Sequence, residues 1–162
     1  MKAIAIIPAR MGSSRFPGKP MAKIHGVPMI GHCYFRTAMC PDLLDTYVAT
    51  CDQQIFDYIE SINGKAVMTS HTHQRASDRT AEAMLIIEEK IGQKIDIVVM
   101  VQGDEPMITP EMISQSLQPF ASEETINVVN LMARMESVLE FEDSNGDIVK
   151  IKKSVIYCFV DL

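Results

Sequence analysis

Two short runs in this chain, KAIAIIP at 2–8 and IDIVVMVQ at 95–102, are apolar on consecutive residues rather than on alternate ones. A strand of that kind needs cover on both faces, and sheets covered on both faces are built from parallel strands joined by helices. TYVAT at 46–50, AVMT at 66–69 and NVVNLM at 127–132 read as further strands. Between them, Pro28–Met39 predicts a helix with proline in its first turn. Asp52 is placed to cap a helix whose Ile55, Phe56, Ile59 and Ile62 share one face. Ser77 or Asp78 starts another, with Ala81, Met84, Leu85, Ile87 and Ile91 inward, and Thr109-Pro110 opens a fourth. The expectation is an α/β chain: a Rossmann-like, mostly parallel sheet with helices on both faces, in one domain over 1–162. SVIYCFVDL at 154–162 is one more continuous apolar run. Either it pairs inside this sheet, or the chain is a fragment of a larger domain.

Composition excludes several classes. The 162 residues are 47% apolar and 22% charged, with a net charge of −6 and 6% aromatics. That balance speaks against nucleic acid and against an anionic bilayer as partners. No run approaches the ~18 apolar residues of a membrane span. The apolar start meets Pro8 and then arginine, unlike a secretory signal. Cys33, Cys40, Cys51 and Cys158 show no close-spaced pairing and read as buried free thiols, which places the chain in the cytoplasm.

Charge is unevenly spread. Lys2, Arg10, Arg15, Lys19, Lys23 and Arg36 all precede the first acid, Asp42, whereas every one of the 21 acids lies beyond them. Four of these six cations fall in or beside the loop that leaves the first strand, ARMGSSRFPGKP at 9–20. In open α/β sheets ligands sit beyond the carboxyl ends of strands, where this loop begins. Gly12 and Gly18 permit close backbone approach, Ser13 and Ser14 add hydroxyls, and Arg10, Arg15 and Lys19 add charge. Together they suit a small polyanion such as a phosphate chain. The loop is neither a Walker A motif, since Pro20 follows Lys19 where Ser or Thr should stand, nor a G-x-G-x-x-G dinucleotide fingerprint.

The strand at 95–102 ends in VQGDEPMI at 101–108. A carboxylate just past a buried parallel strand occupies the ligand edge, where it can anchor a magnesium–phosphate complex. Asp104 is the candidate, with Gly103 giving backbone access and Pro106 stiffening the turn, while Glu105 points away. On the residues alone, a turn-capping role for Asp104 stays open.

Ile7–Arg10, Ser14–Pro20 and Gly26–Ile30 give I-P-A-R, S-R-F-P-G-K-P and G-V-P-M-I. This set resembles the N-terminal signature of the nucleotide-sugar cytidylyltransferases. V-Q-G-D-E-P at 101–106 is similar to a second signature, that of the 3-deoxy-manno-octulosonate (Kdo) branch, the CMP-Kdo synthetases. The ARMGSSR variant also resembles spore-coat polysaccharide cytidylyltransferases. The resemblance implies a nucleotide-diphospho-sugar transferase-like fold that lacks, at its C-terminus, a part usual in the family. It implies nucleotide-binding roles for Pro8, Ala9, Arg10, Gly12, Ser13, Arg15, Lys19, Ser77, Arg79, Gln102 and Gly103. It also implies catalytic roles for Arg15, Lys19 and Asp104, with Mg2+ on Asp104. The reaction implied is attack of a sugar-acid hydroxyl on the α-phosphorus of CTP, giving a CMP-sugar acid, CMP-Kdo above others, and pyrophosphate, for lipopolysaccharide biosynthesis. The resemblance also implies a family-type homodimer as a possible partner arrangement. A CTP-binding module without turnover and a transferase for another acid remain alternatives.

HTHQRASDR at 71–79 follows the third strand, where the family carries a segment resembling His-x-Ser-Gly-Thr-Asp/Glu-Arg that contacts cytosine and ribose. Arg75 and Ala76 replace its Ser and Gly, so Ala76 would be strained if that position needs φ > 0. The His71-x-His73 pair lacks a third ligand and reads as surface, not metal. His25 and His32 read as packing or surface residues. Asp147-Ile-Val-Lys150 matches the family's Asn-Val-Val-Lys with the Asn replaced.

Overall fold

The computed structural model describes residues 1–12, 16–122, 125–132 and 156–159. Ser13, Ser14, Arg15 and the 147–150 motif lie outside them. The chain divides into two compact units, Met1–Pro110 and Glu111–Leu162.

In the first unit, strands β1 (Ala3–Ala9), β4 (Asp45–Thr50), β5 (Ala66–Met68) and β6 (Ile97–Met100) form one all-parallel sheet in the order β5-β4-β1-β6. Every residue of β1 is buried, as its unbroken apolar run requires. Ile4 pairs with Asp45 on one side and Val98 on the other, which fixes β1 in the middle. Helix α3 (Ala76–Ile91) covers one face: its Ala83 and Ile87 join Ile4, Ile6, Tyr47, Ala49 and Val67 in one cluster. Alternation turns Ala5 and Ile7 to the opposite face. There α1 (Met29–Ala38) and α2 (Gln53–Ser61) pack on β4 and bury Ile30, Cys33, Ile55 and Ile59. The sheet is thus parallel with helices on both faces, as expected.

Two local expectations need correction, and one element is added. Arg79, Thr80, Ala83, Ile87 and Glu88 form the buried stripe of α3, whereas Leu85 and Ile91 are exposed. Ala81 is exposed as well. Ile87 faces the core and Met84 packs against it as expected, but small and polar residues fill the rest of the sheet-facing stripe, so hydrophobicity alone selects only part of it. Asp52 stands at the N-cap of α2 but makes no side-chain cap bond; its carboxylate turns to the first loop instead. A short hairpin precedes α1, with β2 (Lys23–Ile24) antiparallel to β3 (Val27–Pro28). Its two-residue turn, His25-Gly26, has φ of 48° and 86°, the mirror-image geometry that tight hairpins favour. The half-buried ring of His32 bonds the Ile24 carbonyl at 2.9 Å.

Helix α4 (Pro110–Ser122) opens at the anticipated proline, and from Glu111 on it belongs to the second unit, burying Ile113 and Leu117. That unit also holds β7 (Val129–Met132), paired in parallel with β8 (Ile156–Phe159). The apolar run near the C-terminus therefore pairs with the 127–132 strand in a separate two-stranded sheet, not inside the four-stranded one.

Candidate functional site

From β1 the chain moves to β4 and β5 on one side, then crosses to β6 on the other. This reversal of strand order opens a crevice between the carboxyl ends of β1 and β6, where the two following loops diverge. A cavity of about 290 Å³ lies there. Pro8 and Ala9 line it from β1, Arg10 from the loop that follows, and Gln102, Gly103 and Asp104 from the loop after β6. Lys19 and Pro20 contribute from the first loop, and His73, Gln74, Arg75, Ala76 and Arg79 from the β5–α3 connection and α3.

Gly18, in the left-handed region at φ 74°, donates its N–H to the Met11 carbonyl at 3.0 Å. The Met11 N–H in turn donates to the Asp52 carboxylate at 2.7 Å. Pro20 is buried within a single 3-10 turn, Lys19–Met21. The base of the loop is thus tied down, and the Lys19 ammonium comes to 2.6 Å from Asp104 Oδ2. Both side chains keep a third to a half of their surface in water, 35% and 48%.

Asp104 is held from below. A Cβ on Gly103 would stand 2.8 Å from the Pro8 carbonyl oxygen, so only glycine lets the β6 loop lie against β1. Arg36 of α1 donates to the Ile108 carbonyl at 2.6 Å and closes the far end of that loop. Cys33 lies beneath it. Burial pushes its thiol up to about 11; the Glu105 main-chain N–H works against this, and the Asp104 and Glu105 charges add to it.

The α3 side differs in kind. Arg79 is 3% exposed; its Nη1 donates to the Thr69 hydroxyl, and its Nη2 has no partner among the described residues. A buried guanidinium with a free donor at a cavity asks for an acceptor from the ligand. Glu82 Oε2 accepts from the Ser70 N–H at 2.8 Å and bonds His73 Nε2 at 2.6 Å. Its carboxyl is held below the usual range, first by the Ser70 N–H and then by His73 and Arg79. Ala76 opens α3 as a helical residue and is absent from the left-handed positions, so the anticipated strain does not arise.

Eight of the anticipated residues therefore share this cavity: Pro8, Ala9, Arg10, Lys19, Arg79, Gln102, Gly103 and Asp104. Gly12 and Ser77 are exposed outside its lining, while Ser13 and Arg15 lie outside the described residues. His73, read from sequence as a surface residue, is instead half-buried, bonded to Glu82 and part of the lining. Arg75 was also missed. The available signal was position: every loop after a parallel strand of one sheet emerges on the same edge. Four full cations (Arg10, Lys19, Arg75 and Arg79) face one carboxylate in the lining, which suits a polyanionic ligand. Among the described residues no group of three or more His, Cys, Asp or Glu could hold a metal by itself.

The family model described as "Cytidylyltransferase" matches residues 4–157. A 3-deoxy-manno-octulosonate cytidylyltransferase of Trichlorobacter lovleyi is 42% identical over 151 residues, covering 93% of this chain and 57% of that protein. An 8-amino-3,8-dideoxy-manno-octulosonate cytidylyltransferase of a Shewanella species is 46% identical over 120 residues, 74% of this chain and 48% of that one. The solved structure of a CMP:2-keto-3-deoxy-manno-octonic acid synthetase complexed with CTP superposes with a TM-score of 0.76 at 35% identity. That match covers 88% of this chain and 56% of the solved one. The chain thus spans roughly half the length of the relatives it resembles.

Proposed function

This chain belongs to the cytidylyltransferase family, and from that premise we propose that its protein binds CTP in the cavity between β1 and β6 and joins the CMP moiety to Kdo. Pyrophosphate leaves, and the CMP-Kdo formed serves lipopolysaccharide biosynthesis in the cytoplasm. One observation carries the reading. The cationic turn after β1 and the carboxylate after β6, 85 residues apart in sequence, meet at 2.6 Å in a cavity with excess positive charge.

The chemistry asks for positioning more than for covalent work. The acid's hydroxyl must approach the α-phosphorus in line with the departing oxygen, and charge on the phosphates must be offset as it shifts toward pyrophosphate. Lys19 and Arg10 supply that offset from the first loop, and Arg15 belongs to the same loop by sequence. Without ligand, Lys19 and Asp104 satisfy each other; a triphosphate draws the ammonium to itself and leaves the carboxylate for a cation. Asp104 fits magnesium, which is held through one or two carboxylates together with phosphate oxygens and water. When bound, the ion would offset phosphate charge and orient the leaving group. Arg79 Nη2 and Gln102 are assigned to the nucleoside end, where carbonyl and hydroxyl oxygens can accept their donors. The thiols of Cys33 and Cys51 agree with a reducing compartment.

Thermal-shift titration with CTP, UTP, ATP and GTP, with and without Mg2+, tests the reading. Preferential stabilisation by CTP is the expected result, about 2.7 kcal/mol at a hundredfold excess over Kd. An equal response to all four, or none, would overturn it. The match to an 8-amino-3,8-dideoxy-manno-octulosonate enzyme favours that acid as a second acceptor. Pyrophosphate release with each acid separates the two.

A further inference from the structure

The segment between β5 and α3 forms one wall of the cavity, yet it carries little that could hold it in place. His71, Thr72, Gln74 and Arg75 are polar and exposed. Thr69 donates its N–H to the Thr50 carbonyl and Ser70 Oγ bonds Thr72, but the side chains that reach into the segment from outside come from α3. Arg79 and Glu82, three residues apart and so neighbours on the helix surface, both reach back to it. Arg79 takes the Thr69 hydroxyl, and Glu82 takes the Ser70 N–H and the His73 ring. Both of the Glu82 bonds converge on one oxygen, Oε2. His73, Gln74, Arg75 and Ala76 then follow directly into the cavity lining. Glu82 does not line the cavity itself.

We propose that Glu82 is a positioning residue of the nucleotide site: by clamping Ser70 and His73 through one carboxylate oxygen, it sets the wall that closes on the nucleoside end of the ligand. The inference rests on the nucleotide reading above and assigns the α3 wall a part in telling one base from another. A carboxylate accepting two donors at once restrains the four residues from Ser70 to His73, and the price of ordering the wall is met before ligand arrives.

The test uses the full chain. Hydrogen exchange without nucleotide reads the clamp: Glu82→Ala should speed exchange at Ser70 and across 71–76 on the order of tenfold. CTP and UTP titrations read its consequence. Glu82→Ala and His73→Ala should each weaken CTP about tenfold and narrow the CTP-to-UTP ratio, and the double variant should be no worse than either. Glu82→Gln, whose amide oxygen can still accept both donors, should stay within about threefold of the parent. If Glu82→Ala fails to fold, His73→Ala carries the same test. Faster exchange with unchanged CTP affinity and base preference would overturn the proposal, as would unchanged exchange. A parent protein that ignores CTP would instead overturn the nucleotide reading, and this inference with it.

Discussion

On the β1 and β6 side of the cavity, Lys19 and Asp104 form an ion pair with a third to a half of each side chain in water. On the α3 side, Arg79 is almost wholly buried and Glu82 is tied to two partners. The first pair holds charge that can change partners cheaply, because an exposed ion pair contributes only about 0–1 kcal/mol. On the second wall the buried charge is that of Arg79, which cannot leave without breaking the fold around it, since an unpaired buried ion is costly. Glu82 keeps a third of its surface in water and is fixed by its two hydrogen bonds. Chemistry that moves charge onto a leaving group belongs with the first wall. Recognition that must reject near-copies of a ligand belongs with the second.

The sharpest way to break this contrast is at the seam. Gly103→Ala puts a methyl group 2.8 Å from the Pro8 carbonyl oxygen, a backbone atom that cannot yield. The loop carrying Gln102 and Asp104 must move away from β1. CTP response should fall beyond detection, with a stability loss of about 1–3 kcal/mol by chemical denaturation. Normal CTP affinity in this variant would mean that the β6 loop is not a wall of the site.

Arg79→Ala comes next and should separate the walls by cost. It strands the Thr69 hydroxyl and leaves a void behind the cavity. Stability should drop by about 2–3 kcal/mol and CTP affinity along with it. Lys19→Ala should do the reverse: roughly tenfold weaker CTP by titration calorimetry, with stability within about 0.5 kcal/mol of the parent. Equal stability costs in the two variants would erase the distinction.

The same contrast explains what could be read from the sequence. The β1/β6 wall rests on runs of apolar residues that announce buried strands, each followed at once by Gly, Pro and charge, so Lys19, Gly103 and Asp104 could be named together. That they touch follows from strand order, which local pattern does not encode. The α3 wall announces itself poorly. In its buried stripe only Ile87 reads inward by hydrophobicity; Arg79, Thr80 and Glu88 read outward, while the exposed Leu85 and Ile91 read inward. His73 reads as a surface residue for a different reason: its partner Glu82 lies nine residues on, beyond any local spacing rule. Asp52 shows a third case: it has the residue type and position of a helix cap, but the Met11 N–H competes for its carboxylate and wins.

The smallest effects at neutral pH should be those of titration, and they set the two walls at opposite ends of the scale. Cys33, under the Asp104 loop, ionises near 9.0 in an ordinary setting and at about 11 here, chiefly through burial. Between those values the unfolded chain gives up a proton that the folded chain keeps, so rising pH favours unfolding. The contribution is whole below 9.0 and is lost as pH climbs through about 11. Glu82, on the α3 wall, is held below its ordinary 4.5. There the unfolded chain binds the proton first, so stability is whole above 4.5 and is lost as pH falls through the lowered value. Urea midpoints across pH should therefore flatten on the alkaline side in Cys33→Ala and on the acid side in Glu82→Gln. A variant that flattens the other limb would show that its side chain does not titrate with the wall assigned to it.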